Sequence, residues 1–114
     1  MSGHTPPVQD IRWIGATAVV DLAGDIDLNA SSSLQQQLLR SLDRGPERVV
    51  INLARVGYMD SSGVATLVKL LSRTRKLGVE LLLARMNDRV RSIFEITRLD
   101  SVFRIVATEE EALG

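Results

Sequence analysis

The residues best suited to do chemistry are Asp60-Ser61-Ser62-Gly63, set between an apolar run and a helix-periodic one. Asp60 has the type and position of a helix N-cap, which places Ser61 and Ser62 in the first turn. There the backbone N–H groups lack intrahelical partners, and the positive end of the helix dipole suits an added negative charge. A serine hydroxyl at such a place can take a phosphate without wrecking the helix, because helix N-termini already favour phosphate. The spacing therefore predicts a switch whose output is surface charge and shape instead of unfolding. Capping explains an Asp and one hydroxyl; a second adjacent hydroxyl is one more than it requires. Gly63 inside the first turn costs about 1 kcal/mol against Ala. Either close approach by a partner or tight packing against a sheet must favour a small residue there.

A second acidic stretch, Asp25-Ile26-Asp27-Leu28-Asn29, imitates the start of a calcium loop but departs from it at Ala30 and Gln36. Two readings stay open. These residues are turn formers whose side chains bond nearby backbone, or one carboxylate lies beside Ser61 and orients its hydroxyl. A Mg²⁺ site made of Asp25, Asp27 and Asp60 ranks below both, and no bound metal is expected. Catalysis is poorly served: the single histidine, His4, lies near the N-terminus, and no G-x-S-x-G elbow surrounds Ser61 or Ser62. Gly57 to Gly63 lacks the Gly-Lys-Ser/Thr of a phosphate loop. No nucleophile–base pair can be named, so the chain is not expected to be an enzyme.

The 114 residues suit one domain with a single core. Fourteen basic and fourteen acidic residues cancel, which argues against a general nucleic-acid binder. The absence of Cys excludes disulfides and thiolate metal sites and fits a reducing compartment. No apolar run approaches the ~20 residues of a membrane helix, and a cytoplasmic protein is expected. Residues 1–7 read as a flexible tail ahead of one domain spanning 8–114.

Val8 to Ile14 and Thr17 to Ala23 read as a hairpin joined by Gly15-Ala16, followed by a turn from Gly24 to Leu28. A helix capped by Asn29 or one of Ser31 to Ser33 then runs to about Arg44, with Leu34, Leu38 and Leu42 on one face. Val49 to Leu53 is a nearly continuous apolar strand, as expected when both faces are covered. The next helix, to about Lys76, places Val64, Leu67, Val68 and Leu71 inward and Lys69, Arg73 and Lys76 outward. Val79 to Ala84 is a strand, Asn87 or Asp88 caps a short helix, Val102 to Val106 is the last strand, and Thr108 opens a terminal helix. The order β-β-α-β-α-β-α-β-α predicts an α/β domain: a mixed, mostly parallel sheet of about five strands with about four helices. The expected core includes Val50, Leu53, Leu67, Leu71, Leu81, Leu83, Ile93 and Phe94. Asp25, Asp27, Asp60 and the serine pair all fall at the carboxyl ends of strands, where such sheets gather functional residues. The Arg-rich stretches, Arg73 to Lys76 and Arg85 to Arg91, read first as solvated helix faces and second as a rim for an acidic partner.

These residues resemble the STAS-domain anti-sigma-factor antagonists, bacterial regulators of partner switching. Gly24-Asp25-Ile26-Asp27 is similar to the family's turn before its first helix. Tyr58-Met59-Asp60-Ser61-Ser62-Gly63-Val64 is similar to its phosphorylation motif, in which Asp precedes the modified serine. Val90 to Leu99 resembles the third helix and its turn, and Val102 to Ile105 with Glu110 to Leu113 the closing strand and helix. The resemblance implies a cycle. The unmodified protein binds an anti-sigma factor that is also a serine kinase of the histidine-kinase-like ATPase fold, which frees the sigma factor. The kinase phosphorylates Ser61 and the complex parts; a metal-dependent serine phosphatase resets it. ATP and Mg²⁺ belong to those partners, so the chain itself is expected to need no cofactor, and it is expected to be a monomer that binds neither nucleic acid nor membrane. The partner surface implied comprises Asp25, Asp27, Met59, Asp60, Ser61, Ser62, Gly63, Thr66 and Arg73. An alternative within the same fold is a STAS-type accessory subunit of a lipid-transport ATPase, or a partner switch wired to an effector other than a sigma factor.

Overall fold

The computed structural model describes residues 7–114. Chain order is β1 (Val8–Ile14), β2 (Thr17–Ile26), α1 (Leu28–Arg40), β3 (Arg48–Met59), α2 (Ser61–Leu77), β4 (Glu80–Ala84), α3 (Asp88–Ile96), a 3-10 turn at Leu99–Ser101, β5 (Arg104–Val106) and α4 (Glu109–Leu113). The five strands lie side by side in chain order. β1 and β2 form the antiparallel hairpin, turned by Gly15 at φ 60°, and the remaining neighbours are parallel. Parallel neighbours need crossovers, which α1, α2 and α3 supply from one face. Leu34 and Leu38 of α1, Leu67 and Leu70 of α2 and Val90 and Phe94 of α3 pack there on Val20, Ile51, Leu53 and Leu83. Each such fully buried side chain contributes roughly 1.5–3 kcal/mol.

The expected core is buried except Ile93, which is half-buried at its edge. Val50 belongs to a smaller cluster on the other face, with Val19, Leu82, Ala84 and Ala112 of α4. That face is only partly apolar. Arg12 of β1 donates to both oxygens of Asp21 at 2.8 Å and to Glu109 of α4 at 2.5 and 3.1 Å, while Asn52 Nδ2 donates to Asp21 at 3.0 Å. The Arg12 hydrogen bonds hold the Asp21 and Glu109 carboxyls below their ordinary pKa range. A five-residue helix with one buried alanine thus gains a polar anchor to the sheet.

Several boundaries differ from expectation. β2 runs on through Gly24 to Ile26, where a turn was expected, because register shifts between Asp21 and Asp25 absorb Gly24 at φ 86° within the strand. β3 extends to Met59, well past Leu53, by pairing alongside that lengthened β2. α1 is capped by Asp27, not by Asn29 or a serine, and ends at Arg40, with Gly45 at φ 67° in the following turn. Val68 is 39 % exposed, and Leu70 occupies the inward position instead. Val102 and Phe103 precede β5; Phe103 is buried edge-on against Phe94, their ring centroids 5.5 Å apart. Of the expected flexible tail, residues 1–6 lie outside the described residues, and Pro7 is buried with its carbonyl accepting Ala23 N–H at 2.9 Å.

Candidate functional site

Ile26 and Met59 are register partners at the carboxyl ends of adjacent parallel strands. An Asp follows each, and each Asp starts a helix. Asp60 holds an extended backbone, φ −98° and ψ −174°, while the next residue is already helical. Its own N–H donates to the Ile26 carbonyl at 3.1 Å, which ties the start of α2 to the end of β2. One carboxylate oxygen, Oδ1, accepts from Ser62 N at 2.9 Å, Gly63 N at 3.2 Å and Ser62 Oγ at 2.5 Å. Bonds to the charged form favour it, and the Asp60 carboxyl accordingly lies below its ordinary value, the Ser62 hydroxyl being the largest cause.

This divides the two serines. Ser62 gives its hydroxyl to the cap. Ser61 is exposed, and its hydroxyl makes no hydrogen bond among the described residues. It stands at the first position of a 17-residue helix, where the positive end of the dipole favours negative charge. Asp60 Oδ1 is occupied by three cap bonds, so this carboxylate supports the start of the helix.

Gly63 answers the second puzzle. A Cβ there would lie 2.6 Å from Met59 Cγ and 2.8 Å from both Ile26 Cγ2 and the Ile26 carbonyl oxygen. Glycine is required by packing against the two strand ends, the reading that needs no partner. Met59 is 2 % and Thr66 4 % exposed. Met59, Gly63 and Thr66 are buried and form the floor under the exposed residues. Thr66 Oγ1 donates to the Ser62 carbonyl at 3.0 Å.

Asp27 caps α1 by accepting Ala30 N–H at 3.1 Å. Asp25 is exposed, pairs in register with Tyr58, and presents Oδ1 3.7 Å from where a Cβ on Gly57 would sit. Neither carboxylate bonds Ser61, and of the two Asp25 is the one not engaged among the described residues. Among the described residues no group of three or more acidic or His side chains is arranged to hold a metal ion, and Asp25, Asp27 and Asp60 are not gathered into one. Arg73 is exposed on α2 but lies twelve residues from Ser61, roughly 18 Å along the axis. It sits toward the opposite end of the helix from Ser61.

Sequence reading missed Ile26 and Leu28. Ile26 receives the Asp60 N–H and walls Gly63. Leu28, at the first position of α1, is 74 % exposed beside the Asp60 cap. The signal was available as a repeat: an apolar strand end followed by Asp occurs at both Ile26-Asp27 and Met59-Asp60.

The chain matches the STAS domain model over residues 9–112. It is 32 % identical over 91 residues to the anti-sigma-B factor antagonist of Bacillus subtilis, covering 80 % of this chain and 83 % of that one. An anti-sigma factor antagonist from Mycobacterium paratuberculosis superposes with a TM-score of 0.83 at 23 % identity, covering 90 % of this chain and 87 % of that one. The anti-sigma factor antagonist SpoIIAA in its unphosphorylated form superposes with a TM-score of 0.77 at 24 % identity, covering 91 % of each chain. SpoIIAA is also known in a phosphorylated form, which superposes with a TM-score of 0.69 and covers 91 % of this chain and 95 % of that one. The three likenesses in structure show a shared fold, and the match over nearly the whole sequence shows more: this chain belongs to the STAS domain family.

Proposed function

We propose that this chain is an anti-sigma factor antagonist switched by phosphorylation of Ser61. In the unmodified state the exposed edge formed by Asp25, Leu28, Tyr58 and Ser61 docks on an anti-sigma factor and so frees the sigma factor. The observation that carries the reading is the division of labour at the start of α2. Ser62 completes the cap, and Ser61 is left exposed with an unengaged hydroxyl. The names of the relatives support the partner class.

The modifying step transfers a phosphoryl group from ATP held by the partner, a serine kinase of the histidine-kinase-like ATPase fold. Ser61 Oγ forms the new O–P bond, the bond to ADP breaks, and the hydroxyl proton passes to a base on the kinase. Asp25 is the carboxylate of this chain free to orient the hydroxyl or the kinase's Mg²⁺, whereas Asp27 is committed to its cap. Water attack, assisted by a metal-dependent serine phosphatase, returns the hydroxyl and releases phosphate.

The phosphate adds nearly two negative charges where the partner packs closely. A thousandfold loss of affinity corresponds to about 4 kcal/mol, within reach of burying an unpaired charge. The helix itself gains ~0.3–1 kcal/mol from the dipole, partly offset by repulsion from Asp60, so the fold changes little. Calorimetric titration with the anti-sigma factor tests this. Ser61→Ala should bind as the unmodified protein does, and Ser61→Asp should bind weakly with an unchanged melting temperature. Tight binding by Ser61→Asp would contradict the reading. Asp25→Asn should slow phosphorylation more than Asp27→Asn does; equal, normal rates would reduce both residues to turn formers.

A further inference from the structure

α1 and α2 both end at the pole of the molecule remote from Ser61. A groove of about 400 Å³ opens between their last turns, lined by Leu39, Arg40, Arg73 and Leu77 with Leu42 and Asp43. Arg40 also borders a second groove, of about 340 Å³, that lies along β1 and is lined by Trp13 and Arg44. Arg40, Arg44 and Arg73 form no ion pair among the described residues, although Arg12, Arg48 and Arg104 all do. Asp43 is the acidic residue in the two linings.

The helix dipole explains part of this charge. It favours cations in a last turn, which covers Arg40 in α1 and Arg75 and Lys76 in α2. Arg73 lies before the last turn of α2, and Arg44 lies beyond α1, where its guanidinium stacks over Trp13 at 5.5 Å. Leu77 stands 54 % exposed between these cations. Arg and Trp are the types enriched where interfaces bury most energy, and the exposed leucine adds apolar surface for a partner to cover.

We infer that this pole is a second docking surface, for an acidic peptide segment of a protein partner that carries an apolar side chain. The three uncompensated guanidiniums select acid, and the Leu39–Leu77 and Trp13 walls select the apolar group. A polyphosphate backbone would gain nothing from those walls. With this surface at one pole and Ser61 at the other, the protein can stay tethered while its switch end binds and releases.

Trp13 is the sole tryptophan, so its fluorescence reports directly on the site. The full chain is titrated with a synthetic peptide of Glu, Asp and Leu, reading Trp13 emission and the anisotropy of a label on the peptide. Saturable binding is expected, weakened about tenfold or more by Arg40→Glu with Arg73→Glu, and several-fold by Leu77→Ser. Ser61→Asp should leave it unchanged. The double variant should melt slightly below the parent, because an anion at position 40 opposes the dipole at the end of α1; Arg40→Gln with Arg73→Gln provides a milder check. Absence of saturation overturns the inference, as does undiminished binding by the double variant or equal binding of a Leu-free peptide. Tighter binding of phosphatidylserine vesicles or duplex DNA, lost in the same variant, would also overturn it.

Discussion

The entries to α1 and α2 are near copies with different uses. Both follow an apolar residue at the carboxyl end of a strand, and the two strand ends are hydrogen-bonded neighbours. Both use an Asp cap with extended backbone, φ −116° and ψ −172° at Asp27 against φ −98° and ψ −174° at Asp60. At the first helical position α1 carries Leu28 and α2 carries Ser61; at the third, Ala30 faces Gly63. Asp27 accepts one backbone N–H of its own helix, whereas Asp60 accepts two and the Ser62 hydroxyl. The comparison teaches that the cap by itself does not create the proposed switch. An ordinary cap positions the first residue, and α2 differs by placing a free hydroxyl there and by letting the helix settle deeply on the strand ends.

Exchanging the third positions breaks the comparison most strongly. By propensity alone Gly63→Ala should stabilise and Ala30→Gly should destabilise. Packing reverses the first: the new Cβ would meet Met59 and Ile26 at under 3 Å, and overpacking costs roughly 1–3 kcal/mol. Ala30→Gly should cost about 0.5–1 kcal/mol. Denaturant titration checks both, and a neutral or stabilising Gly63→Ala would remove the packing argument.

Next in size are the caps. Asp60→Ala should cost about 1–2 kcal/mol and Asp27→Ala nearer 0.5–1 kcal/mol, because Asp60 satisfies more donors. The pH dependence follows from the lowered carboxyl of Asp60. A carboxyl whose folded pKa lies below its unfolded value of 3.8 binds fewer protons when folded. Its stabilisation is complete above that value and fades as pH falls through the lower folded one. Asp60→Asn should therefore flatten the acid limb of a stability–pH curve. An unchanged acid limb would show that the cap charge carries no weight.

Smallest is the effect on stability of the serines themselves. Ser62→Ala removes a hydrogen bond to a charged oxygen and should cost roughly 0.5–1 kcal/mol. Ser61→Ala removes nothing the fold uses and should stay within about 0.5 kcal/mol. Thermal melts that reversed this order would undo the assignment of roles.

Element order, parallel sheet and nearly all of the named core were readable in the sequence, since Leu34, Leu38, Leu67, Leu83 and Phe94 follow clean helix and strand periods. Asp60 as the cap was readable for the same reason: a capping residue stood before a periodic run. The ends of β2 and β3 were not. Gly24 and Gly57 look like turn residues, and only the pairing of the two strands, with its register shifts, carries them on to Ile26 and Met59. The cap at Asp27 was hidden by Asn29 and three serines, all plausible caps locally. Which of Ser61 and Ser62 stayed free depended on a side-chain rotamer, which spacing does not encode. The reason for Gly63 lay in Ile26, 37 positions away in the chain.

The central claim is that the hydroxyl outside the cap is the one modified. Fragmentation mass spectrometry of the protein after incubation with its kinase and ATP tests it directly, locating the phosphate on one of two adjacent serines. The account predicts phosphate on Ser61, retained in Ser62→Ala and absent in Ser61→Ala. Phosphate on Ser62, or full modification of Ser61→Ala, would contradict it.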